Sequence, residues 1–82
     1  MNTLEKLEKI CIMFKEDKID IEEFQSRLET LDILGESYVS LNKVKIDAIN
    51  RLEEIRYCSL ESNFYKYGSE VANLLLEEIK EH

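Results

Sequence analysis

"KEDKIDIEEFQSRLETLDILGES", residues 15–37, decides how this chain is read. Its acids Glu16, Asp17, Asp20, Glu22 and Glu23 crowd together as in a calcium loop. An EF-hand needs acids at alternating positions, a central glycine and a bidentate glutamate at the twelfth place. Here the position after Asp17 in that alternation is Ile19, and no glycine occurs before Gly35. The acids instead mark a helix start. Asp20 and Glu23 form a D-x-x-E capping box, and Ile19 with Phe24 forms a hydrophobic staple around it. Ile21, Phe24, Leu28 and Leu31 then repeat at helical spacing. Gly35 is a natural stop.

The same logic works outward. Asn2 caps a first helix and Glu5 completes its box. Leu4, Leu7, Cys11 and Phe14 form its stripe, flanked by Ile10, and Glu5 faces Lys9 as an i,i+4 pair. A third stripe runs Leu41, Val44, Ala48, Leu52 and Ile55, with Asp47 facing Arg51. A fourth runs Leu60, Phe64, Tyr67, Val71, Leu74 and Leu75. If the last two were one helix, their stripes would point about 130° apart. A break near Cys58–Ser62 restores register, with Ser59 or Ser62 as cap. Gly68 inside the last helix costs about 1 kcal/mol against alanine and marks a close helix crossing or a weak point. The expected fold is a single all-α domain, a small bundle of about four helices over 3–16, 21–34, 38–57 and 60–80. The first two form an antiparallel hairpin.

Composition agrees. Eighty-two residues with no proline, two glycines, 35% charged and 44% hydrophobic residues suit one helical domain. A chain of this size buries roughly 60–65% of its unfolded surface, enough for a small core with little spare stability, which leaves room for a partner or a second copy to contribute. Net charge is −7, spread as −4 over residues 1–35 and −3 over 36–82. With no basic run, nucleic acid and anionic membrane are not expected partners; the charge allows a basic protein partner, and read plainly it is that of a solvated surface. No apolar run approaches the ~20 residues of a membrane span, and the opening carries charges at Glu5 and Lys6. A cytoplasmic location is the expectation, with Cys11 and Cys58 as free thiols buried on helices.

Catalytic chemistry finds little to work with. The lone histidine, His82, stands at the end of the chain, so neither cysteine nor serine has an evident base. Histidine phosphotransfer and Glu-x-x-His metal sites lack their histidine. Glu53 and Glu54 point to adjacent sides of a helix. No catalytic residue, metal or cofactor is expected, and the protein reads as no enzyme. Leu34-Gly35-Glu36-Ser37-Tyr38 loosely resembles the attachment site of acyl carrier proteins, with Glu for their Asp and Tyr for their Leu. That resemblance implies modification at Ser37; as plain structure, Ser37 is a helix cap.

Surface remains. Ile12 lies opposite the first stripe. Val39, Ile46 and Tyr57 share the far side of the third helix beside Glu53. Tyr65, Ala72, Leu76 and Ile79 form a second apolar line on the fourth, which is then either the central helix of the monomer or an interface. The candidate contact residues are Ile46, Glu53, Glu54, Tyr57, Glu61 and Tyr65, because tyrosines near acids make good interface anchors.

The stretch "LEKICIMFKEDKIDIEEFQSRLETL" resembles the opening of small bacterial immunity proteins of the colicin D immunity type. The likeness lies in an amphipathic helix, a short polar break, Ile19, Glu23 and Phe24 at the next helix start, then Arg27 and Leu28. It covers residues 4–31, about a third of the chain. It implies a non-catalytic acidic protein that masks a basic toxin domain. The leading expectation is therefore a protein-binding module, an immunity or antitoxin-like inhibitor. A structural or regulatory homodimer is the alternative, and an acyl-carrier-like protein the third.

Overall fold

Asn2 and Asp20 set the first two helices. The Asn2 side chain accepts from the Glu5 backbone N–H at 2.8 Å, and Asp20 accepts from that of Glu23 at 2.8 Å. In the computed structural model, which describes residues 2–33 and 38–82, the chain forms α1 (Thr3–Lys15), α2 (Ile21–Thr30), α3 (Val39–Cys58) and α4 (Phe64–Lys80). A 3-10 turn at Glu61–Asn63 leads into α4. The described residues contain no strand, so the all-α bundle of four helices is the observed architecture.

The α1–α2 link is tight. The N–H of Asp17 donates to the Phe14 carbonyl and that of Lys18 to the Met13 carbonyl, each at 2.9 Å. These two bonds make a Schellman closure, which puts Asp17 at φ 61° where glycine is usual. The chain then reverses, and Ile19 and Phe24 are both buried as a staple requires.

Helix contacts run in a ring: α1 on α2, α2 on α3, α3 on α4 and α4 on α1, with α4 also reaching α2. Leu7, Cys11, Phe24, Leu28, Leu41, Leu52 and Leu75 are fully buried where the four inner faces meet. Each large side chain sealed there contributes on the order of 1.5–3 kcal/mol. The resulting body measures 37 × 21 × 21 Å.

Gly68 does mark a close crossing. A Cβ built there would stand 2.6 Å from Phe14 Cε1 and nearer still to Cζ. The absence of a side chain lets α4 settle on the Phe14 ring. That ring stacks on Phe24 at 4.7 Å between centroids and on Tyr65 at 5.9 Å.

Several details differ from the sequence reading. Helix α2 stops at Thr30, not at residue 34: Leu31 is already extended (φ −88°, ψ 112°). Its free carbonyl is taken by the Lys45 ammonium at 2.8 Å. Lys45 is itself buried, inside the α3 stripe. Gly35 as a stop and Ser37 as a cap lie outside the described residues. The break between α3 and α4 is real, with Ser59 and Leu60 both extended. Neither serine caps α4, however, since Asn63 holds that place without a side-chain bond. The turn leaves Cys58 and Leu60 exposed, where core positions were expected. Arg51 turns to Glu54 rather than Asp47. On α4 the two expected apolar lines merge into one broad face. Val71, Ala72 and Leu75 are buried, and Leu76 and Ile79 pack beside them. Leu74 falls outside that face and is 61% exposed.

Candidate functional site

Helix α3 positions the exposed side of the bundle. Leu41, Lys45, Ala48, Leu52 and Ile55 turn inward. Helical phase therefore sends Val39, Ile46, Glu53 and Tyr57 outward along one line. Their exposure follows: Val39 68%, Ile46 47% and Tyr57 76%, with Glu53 also open. The line runs about 27 Å at 1.5 Å per residue. The Arg56 guanidinium lies 5.8 Å from the Tyr57 ring centre, a cation–π contact that leaves the ring open to solvent.

The other three candidates sit elsewhere. Glu54 is one position round the helix and bonded to Arg51. Glu61 is exposed at the start of the 3-10 turn. Tyr65 faces the end of α1, where its hydroxyl donates to the Lys15 carbonyl and its ring stacks on Phe14. Glu61 and Tyr65 share a 250 Å³ depression with Asp17 and Asp20 of the α1–α2 turn. Ile46, Glu53 and Tyr57 thus share the outward line of α3, Glu61 and Tyr65 share this turn, and Glu54 stands apart from both.

A polar seam that the periodicity missed joins α2 to α3. Arg56 donates to Gln25 Oε1 at 2.8 Å, and Gln25, which is buried, donates to Glu29 at 3.0 Å. Together with the Lys45 bond to Leu31, this seam fixes the base from which the α3 line projects. The available signal was Lys45 itself, four residues after Leu41 and therefore within the apolar stripe.

The chain end also gathers unexpected neighbours. The Ser40 hydroxyl donates to Glu78 Oε1 at 3.3 Å, and His82 Nε2 lies 3.4 Å from Ser40 and 3.5 Å from Glu78. A nucleophilic triad needs serine on one ring nitrogen and the orienting acid on the other. Here both meet Nε2, so no acid among the described residues orients the imidazole from its other nitrogen. The group ties the end of α4 to the start of α3.

Burial pushes the Cys11 thiol up to about 12, with the nearby Glu8 carboxylate adding to the shift. At neutral pH that sulfur is a protonated core group rather than a nucleophile. Among the described residues no three His, Cys, Asp or Glu side chains gather as a metal-holding group. No described helix is long and apolar enough to cross a membrane.

The chain matches no family model, no curated protein and no solved structure.

Proposed function

We propose that this is a non-catalytic, acidic protein-binding module that meets its partner through the outward line of α3. One observation carries this reading: Val39, Ile46 and Tyr57 stand exposed in a row with Glu53 among them, none of them needed by the core. Exposed apolar side chains in a row, one a tyrosine, resemble the anchors of an interface more than a solvated helix face. A net charge of −7 favours a basic partner and speeds encounter with it. An immunity or antitoxin-like inhibitor that masks a basic toxin domain is the function that fits, and the likeness of residues 4–31 to colicin D-type immunity proteins supports the same reading.

The test is co-purification with defined variants. A basic protein held at low salt and released at high salt is expected, and Tyr57→Ala with Glu53→Lys should lose that same protein while staying folded. Retention of the partner by the double variant sinks the named surface. A homodimer through the same line is the second reading, favoured by its three apolar members. Sizing across a dilution series separates the two: a monomer at high concentration removes the dimer.

A further inference from the structure

A groove of 420 Å³ runs between α3 and α4, on a different side of α3 from the outward line. Its floor is apolar: Val44 and Ala48 from α3, Val71 and Leu75 from α4, with Leu74 standing up at its edge. Leu74 is 61% exposed, so a large apolar side chain stands open to solvent at the groove's edge. The rim is charged, and almost all of one sign. Asp47, Glu77, Glu78 and Glu81 line it, against Arg51 alone. Arg51 is bonded to Glu54, outside the groove, and Glu78 is engaged by Ser40 and His82. Asp47, Glu77 and Glu81 form no ion pair among the described residues.

We infer that this groove docks an amphipathic helix of the partner, apolar on one side and flanked by lysine or arginine. The inference rests on the reading of the protein as a binding module and names the partner's chemistry. The lining spans about 10 Å along α3 and about 15 Å along α4 at 1.5 Å per residue, the length of two to three helical turns. An apolar floor between acidic rims selects apolar anchors at i, i+3/i+4 and i+7 with bases on either side. Acidic helices are rejected because their charges would be brought against Glu77 and Glu81 with no counterion.

A second copy of this chain does not fit the site. A symmetric contact would set acidic rim on acidic rim. A basic depression between α1 and α2 gathers Lys6, Lys9 and Arg27. None of the residues lining it is a large exposed apolar side chain able to fill the groove.

The test uses three synthetic peptides of about fourteen residues, four helical turns: leucine–lysine at amphipathic spacing, leucine–glutamate at the same spacing, and the leucine–lysine composition scrambled. Fluorescence anisotropy should show micromolar binding of the first, weakened by salt, and none of the second. The scramble should bind at least about tenfold more weakly, because charge alone does not fill the floor. Leu74→Ala and Glu77→Lys/Glu81→Lys, all exposed or rim positions, should each weaken binding about tenfold or more. Amide shifts on titration should centre on Val44, Ala48 and Val71. Equal binding of the scramble, or indifference to the groove variants, overturns the proposal. Shifts confined to Ile46, Glu53 and Tyr57 also overturn it while leaving the binding module standing. Loss of the co-purifying protein in Tyr57→Ala with peptide binding intact separates the two surfaces. Self-association of the protein through the groove, seen by sizing and abolished by Lys6→Glu/Lys9→Glu, overturns it in favour of a second copy.

Discussion

Asp17 is a residue whose place was legible and whose conformation was not. Its acid character suggested a loop or a helix flank, whereas its role is to hold a left-handed backbone position in the α1 closure. A non-glycine residue there carries about 1–2 kcal/mol of steric cost, eased for aspartate by its short polar side chain. Asp17→Gly should therefore raise stability by about 0.5–1 kcal/mol, after the extra chain entropy of glycine is counted. Urea unfolding would show a higher midpoint with an unchanged slope; a lower midpoint refutes the assignment. Lys45 teaches the complementary lesson. A periodicity count treats lysine as an outward residue, but a long aliphatic stem lets it cross a buried stripe and deliver its charge to a helix end. The bond to the Leu31 carbonyl is a tertiary fact, and nothing local to either residue announces it.

Helices were the most readable scale, because capping is local chemistry. Asn2–Glu5 and Asp20–Glu23 named the starts of α1 and α2, and both bonds form. The end of α2 was misread because Leu31 and Ile33 continue the apolar rhythm beyond the helix. Both still face inward, but from an extended segment. The α3–α4 break was readable from phase alone, while its capping residue was not. Gly68 belongs to this scale as well. Alanine there would gain about 1 kcal/mol of helix propensity. It would also push a Cβ into a ring held on both faces by Phe24 and Tyr65. Overpacking of that kind costs about 1–3 kcal/mol. Gly68→Ala is expected to destabilise on balance, and its cost should shrink in a Phe14→Leu background, where the obstructing ring is gone. A double-mutant cycle with no coupling between the two sites would refute the close crossing.

For the whole molecule, the candidate surface was only half legible. Phase placed Ile46, Glu53 and Tyr57 on one line, since that needs one helix. That Glu61 and Tyr65 lie apart from them, beside the α1–α2 turn, depended on the path of the chain through the α3–α4 break, which periodicity does not contain. The acidic groove was invisible for the same reason. Its rims come from residues thirty apart, and an evenly charged sequence became an acidic edge opposite a basic one. Global stability has a readout at Cys11. The folded thiol keeps its proton to about 12, against an ordinary value of 9.0. Above pH 9 the unfolded chain therefore binds fewer protons than the folded one, and rising pH favours unfolding. The loss should reach at most about 1.4 kcal/mol per pH unit between those two values. Cys11→Ala should flatten the alkaline limb relative to the parent, and an unchanged limb would contradict the buried assignment. At neutral pH a thiol reagent should label Cys58 at once and Cys11 only on unfolding.

The stack of Tyr65 on Phe14 on Phe24 has an optical consequence. The chain has no tryptophan, so its near-ultraviolet dichroism comes mostly from four tyrosines. Tyr57 is largely free in solvent, while Tyr65 is fixed by a ring on one side and a main-chain carbonyl at its hydroxyl. The tyrosine band therefore draws on the seating of α4 against α1. The difference between the spectra of the parent and Tyr65→Phe isolates that one helix contact from the half-buried Tyr38 and Tyr67.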